Sequence, residues 1–144
     1  MKSIILHFLI ASIFFPFSAP AKESCEKALD LIPKFEPSKK MFNQIYQFKL
    51  KYNHCMDGGI AEGISAIIVE SLDKNWAQMN EISELNKKDS SFQKFILMNI
   101  QPGVTAQEAE VKSIISKAKG SCPKAMKRFC RELVKSCEKS LKPD

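Results

Sequence analysis

From residue 25 to residue 141 the apolar side chains recur at three- and four-residue spacings, a period that fits α-helices and little else. The last segment is the clearest. Met126, Phe129, Cys130, Leu133, Val134, Cys137 and Leu141 form one stripe, and Pro123 suits the first position of a helix over residues 123–140. Upstream, Thr105 and Glu108 have capping-box spacing, and Val104 is placed to staple onto Ala109. Val111, Ile114, Ile115 and Ala118 continue that face until Gly120 stops it, and Pro102-Gly103 breaks the chain before it. Ser90 or Asp89 caps a shorter helix bearing Phe92, Phe95, Ile96 and Ile100. Ile60, Ile64, Ile67 and Ile68 run on into Leu72, Trp76, Met79, Ile82 and Leu85, so residues 58–86 form one bent helix or two.

Residues 46–52 alternate apolar and polar side chains, as a half-buried strand would. A strand needs a partner, and no second segment alternates. Met41, Phe42, Ile45, Phe48 and Tyr52 also make a helical stripe with Ser38 as its cap, which is the reading favoured here. A short helix over residues 25–32 precedes an extended connector, residues 33–37, marked by Pro33 and Pro37. The fold expected is all-α: a single compact bundle of about five to six helices.

Residues 1–21 read as a secretory leader, with Lys2 as the positive end, an apolar run over residues 4–17, and Ala19-Pro20-Ala21 as the cleavage site. His7 and Pro16 interrupt the run, which is shorter than the ~20 residues that cross a bilayer, so no transmembrane anchor is expected. Cleavage before Lys22 leaves residues 22–144 as one helical domain that is exported, periplasmic in a Gram-negative source and secreted otherwise. Lys2 departs with the leader, leaving 21 basic against 16 acidic residues. Their distribution matters more: residues 56–111 hold four basic and nine acidic groups, whereas residues 112–144 hold ten and three. Export argues against nucleic acid as the counterpart of the basic end. Anionic lipid, lipopolysaccharide or an acidic protein fits better, through Lys124, Lys127, Arg128, Arg131 and Lys135.

Cys25, Cys55, Cys122, Cys130 and Cys137 all follow the leader, where oxidising conditions preserve disulfides. If residues 123–140 are one helix, its rise separates Cys130 from Cys137 by about 10 Å, and Cys122 from Cys130 by about 12 Å. A bridge needs Cα atoms within about 7 Å. Bridges are therefore expected from the N-terminal half to the last helix, Cys25 to Cys130 and Cys55 to Cys122, with Cys137 near the fraying end as the free thiol.

Catalysis finds little support. His54 is the single imidazole after the leader, and its neighbour Cys55 would point about 100° away on a helix, so the two make no nucleophile pair. A metal site at His54, Cys55 and Asp57 would lose Cys55 to a disulfide, and neither a metal nor a cofactor is expected. Phe42, Phe48, Phe92, Phe95, Phe129, Trp76, Met79 and Met126 suit a core better than a ligand cavity. The most distinctive motif is residues 54–63. Gly59 and Gly63, with Ala66, put small residues on neighbouring turns for close packing. The same turn, through Asp57, Gly58, Gly59 and Glu62, can present carboxylates to a protein partner.

Cys55 with Asp57-Gly58-Gly59 and Glu62-Gly63, Trp76 at the end of the next apolar run, and the late Cys122 and Cys130 together resemble the periplasmic immunity proteins of type VI secretion amidase effectors, over residues 42–133. That resemblance implies a non-enzymatic inhibitor that binds a cell-wall hydrolase effector and blocks its groove as a homodimer; the mature protein itself is expected to be a monomer or dimer. Cys25, Cys137 and the basic tail depart from it. The alternatives are a secreted carrier of a small apolar ligand and an envelope-surface protein acting through the basic last helix. Insect odorant-binding proteins share the size and helices of the carrier class, but have six cysteines with one pair separated by three intervening residues, whereas this chain has five cysteines and no such pair.

Overall fold

The described helices after the first bury most of the stripe that their sequence period marks. The computed structural model describes residues 24–35, 40–100 and 108–142. The leader and its cleavage site, the caps expected at Ser38 and Thr105, the Val104 staple and the Pro102-Gly103 break lie outside those residues.

The described residues form seven α-helices and no strand: α1 (Cys25–Leu31), α2 (Met41–Tyr52), α3 (Gly58–Lys74), α4 (Met79–Lys88), α5 (Phe92–Met98), α6 (Glu108–Gly120) and α7 (Lys127–Ser140). The alternating segment 46–52 is helical, inside α2, and Phe42, Ile45, Tyr46, Phe48 and Tyr52 are all buried there. Residues 58–86 divide in two at a 3-10 turn, Trp76–Gln78, which accounts for a helix beyond the expected five or six. Ile32–Lys34 is also a 3-10 turn, with Pro33 in its first turn, where an extended connector was expected.

The core is one cluster. Phe42 and Ile45 of α2, Ile64, Ile68 and Leu72 of α3, Ile82 of α4, Phe92 and Ile96 of α5, Ile114 of α6 and Leu133 of α7 are fully buried. The aromatic and methionine side chains expected in a core belong to it, with Trp76 packed against its edge: Tyr46 meets Phe92 edge-on at 5.2 Å, and Phe92 stacks on Phe95 at 6.5 Å. Polar ties fix the helices around this core. Lys117 Nζ on α6 donates to Asp73 Oδ1 on α3 at 2.6 Å, and Trp76 Nε1 donates to the Ser121 carbonyl at 3.1 Å. Lys49 on α2 pairs with Asp89 in the turn between α4 and α5, and its Nζ also reaches Ser91 Oγ at 2.7 Å. Asp89 Oδ1 accepts the Ser91 amide at 3.0 Å, but the N-cap of α5 is Ser91, without a side-chain cap bond, where a cap at Ser90 or Asp89 was expected.

The disulfides differ from the nested pairs. Cys25 is bonded to Cys55, with Cα atoms 5.4 Å apart, and Cys122 to Cys130, with Cα atoms 6.2 Å apart; the pairs Cys25–Cys130 and Cys55–Cys122 do not form. The reason lies in where the last helix starts. Pro123 is extended at ψ 138°, residues Lys124–Met126 make a 3-10 turn, and α7 begins only at Lys127. The chain therefore doubles back, and the ~12 Å separation of a continuous helix never arises. Two local staples result, one tying α1 to the 3-10 turn Asn53–Cys55 that follows α2 and one closing the loop between α6 and α7. Cys137 is the free thiol, as expected, but it is fully buried on α7 and does not lie at a frayed end.

Candidate functional site

The predicted acidic corner is where α3 begins. Asp57 is its N-cap, with the carbonyl accepting the amides of Ile60 and Ala61 at 3.2 Å, and Gly58 follows with φ +44°, a backbone conformation that glycine adopts without strain. Asp57, Gly58, Gly59 and Glu62 are all exposed. The Cys25–Cys55 disulfide braces the chain just before them. The glycines divide by role. A methyl on Gly63 would lie 2.6 Å from Ile32 Cγ2, so this position is a packing contact against the turn after α1; Gly59 has Leu29 at 4.0 Å, and Ala66 is exposed.

The metal-ligating atoms of Cys25, His54 and Cys55 lie within 4.8 Å of one another. Cys25 replaces Asp57 in the trio considered from sequence. With the two sulfurs bonded to each other, neither offers the thiolate that a metal requires.

A concavity of a different kind lies between α6 and α7. Its volume is about 540 Å³, and its lining comprises Ala118, Lys119, Gly120, Cys122, Lys127, Cys130, Arg131, Val134 and Lys135. Small residues explain why it exists: Ala118 and Gly120 on α6 face Cys130 and Val134 on α7, too little side chain to fill the gap between two helices. The floor is apolar and includes the Cys122–Cys130 disulfide. The rim is cationic. Lys119 pairs with Glu138 at 3.0 Å and Lys135 with Glu132 at 3.4 Å, whereas Lys127 and Arg131 pair with no carboxylate among the described residues.

The walls are held from behind. Lys117 ties α6 to the last turn of α3, and its ammonium, helped by Ser113, keeps the Asp73 carboxyl below the usual carboxylate range. α7 buries Phe129, Cys130, Leu133 and Cys137, turning Lys127, Arg131 and Lys135 outward. The basic face of this helix was legible in the sequence; the groove beside it was not. The available signal was the pairing of small residues on two consecutive helices, which reads as a gap only once α6 and α7 are known to pack along each other. No family model, curated protein or solved structure matches the chain.

Proposed function

We propose that this protein is an exported, non-enzymatic binding protein that meets an anionic counterpart of the cell envelope across the α6–α7 face. The observation that carries this reading is the pair Lys127 and Arg131, two cations without carboxylate partners among the described residues, at the edge of an apolar concavity. Cations in such a place raise the local concentration of anions and speed their capture, an effect that falls with salt. The two disulfides fit an oxidising compartment, and no described helix is long and apolar enough to cross a membrane. The test is retention of envelope components on immobilised mature protein, compared with a K127E/R131E variant. Acidic components held at low salt by the first and released by the second support the reading; identical retention by both overturns it.

A second reading keeps the periplasmic immunity class, with a cell-wall amidase as the protein partner. The exposed Asp57, Gly58, Gly59 and Glu62, on a corner braced by a disulfide, favour it. A braced, exposed turn loses little entropy on entering an enzyme groove. D57K and E62K should then each weaken inhibition of the cognate amidase by about 1 to 3 kcal/mol, since like charges would meet across the interface. Undiminished inhibition by both variants rejects this corner as the contact surface.

A further inference from the structure

We propose that the groove between α6 and α7 is a binding site for a single-chain anionic amphiphile, whose chain lies along Ala118, the Cys122–Cys130 disulfide and Val134 while its head group sits between Lys127 and Arg131. This inference rests on the reading that the α6–α7 face takes an anionic counterpart, and it names the chemistry of that counterpart.

Four features converge on this ligand. The volume, about 540 Å³, falls within the roughly 300 to 1,000 Å³ typical of small-molecule sites, and exceeds the about 390 Å³ of the cavity beside α5 and the about 260 Å³ of the one beside α2. The floor is made of an alanine methyl, a disulfide and a valine, surfaces that gain from covering by hydrocarbon and offer little hydrogen bonding. Lys127, Arg131 and Lys135 stand at successive four-residue steps along α7, so the groove runs for about 12 Å beside them, the reach of roughly eight to ten extended methylenes. The apolar stems of these side chains extend the wall, and their charged ends stay in water.

The fourth feature is electrostatic. Lys127 and Arg131 are one turn apart, and like charges at that spacing repel. An anion between them relieves the repulsion and gains two charge-assisted hydrogen bonds, with the guanidinium supplying a planar fork suited to a carboxylate or phosphate. Lys119 and Lys135 are already engaged by Glu138 and Glu132, which places the unbalanced charge at one end of the groove and leaves the chain's path beyond it less charged. A concave slot between two helices suits a lone chain better than a bilayer surface, which would meet only the outward tips of the cations.

Trp76, the one tryptophan of the chain, provides the readout, because its indole is bonded to Ser121 next to the Cys122 end of the groove. Mature protein with both disulfides intact would be titrated with decanoate below its micelle concentration, with decanol, with butanoate, with inorganic phosphate and with vesicles containing phosphatidylglycerol. Trp76 fluorescence and calorimetry would follow binding. Decanoate should bind saturably at one per chain, at least tenfold tighter than decanol or butanoate. K127E/R131E should lose at least tenfold in affinity. V134E, which puts a carboxylate on the chain's path and sits at a half-buried position that tolerates a longer side chain, should lose a similar factor with unchanged circular dichroism.

Vesicle or phosphate binding that depends on Lys127 and Arg131, with no decanoate binding, overturns the groove inference and leaves the anionic-face reading standing. Decanol binding as tightly as decanoate overturns the head-group assignment and with it the proposal. Failure of every anionic probe to bind overturns both.

Discussion

Gly63 and Ile32 touch where any larger residue would collide: a methyl added at position 63 falls 2.6 Å from Ile32 Cγ2 and 3.3 Å from both Cγ1 and Cδ1. The β-branched Ile32 is stiff at χ1 and sits in a turn containing Pro33, so neither the side chain nor its backbone can yield freely. G63A should therefore destabilise the protein by about 1 to 2 kcal/mol, an overpacking cost that exceeds alanine's gain in helix propensity. G59A, which meets only Leu29 at ordinary contact distance, should be neutral or stabilising by a few tenths of a kcal/mol. Chemical denaturation of the two variants separates them by sign.

The two disulfides should differ in worth. Each closes its own loop in the unfolded chain, spanning 30 residues for Cys25–Cys55 and 8 for Cys122–Cys130. Loop-closure entropy then gives about 3.6 kcal/mol for the first and about 2.5 kcal/mol for the second. C25S/C55S should lower the unfolding free energy more than C122S/C130S. The reverse order would mean that the α6–α7 loop is held by more than chain connectivity.

The helices were legible because each one's apolar stripe is local information. Residues 46–52 show the limit of that rule: Tyr46, Phe48 and Tyr52 are buried on a helix, as favoured, although their alternation also fits a strand, and it was the missing partner strand that argued against one. The cysteine pairing was not legible, since it turned on where α7 begins. Pro123 suits a helix start, and the sequence holds no sign that three further residues are spent on a 3-10 turn before α7. The exposed corner at Asp57 could be read from its glycines. The groove needed the mutual placement of α6 and α7, which no single-helix pattern contains.

Cys137 should resist thiol reagents in the folded protein. Burial, with a smaller contribution from the Glu138 charge, pushes its thiol up to about 12, so almost no thiolate exists at neutral pH. Labelling with an aromatic disulfide reagent at pH 8 should be slow in buffer and complete in denaturant. Rapid labelling of native protein would show that the α7 end opens readily. C137S should cost about 1 to 3 kcal/mol, because the hydroxyl enters an apolar site.

Two carboxyl groups should give opposite pH dependences. The Lys49 ammonium, together with the Ser91 hydroxyl and amide, lowers Asp89 from its ordinary 3.8 to about 2. The unfolded chain therefore binds this proton first, and the stability from Asp89 is complete above about pH 4 and lost as pH falls towards 2. Its side chain is only 21 % exposed, so about 1 to 2 kcal/mol of the acid loss should belong to it. Glu81 behaves the other way. Burial raises its pKa despite hydrogen bonds from the Asn43 and Phe42 amides at the start of α2. Its native state holds the proton more tightly, so its contribution is complete below the unfolded pKa and lost as pH rises through the raised native value. Denaturant midpoints measured from pH 7 to pH 2 should show D89N with a shallower acid slope than the parent. E81Q keeps an acceptor for the two amides and removes the opposing titration, so its stability should fall more steeply on acidification. A D89N slope equal to the parent's would remove the Lys49 pair from the account of acid stability.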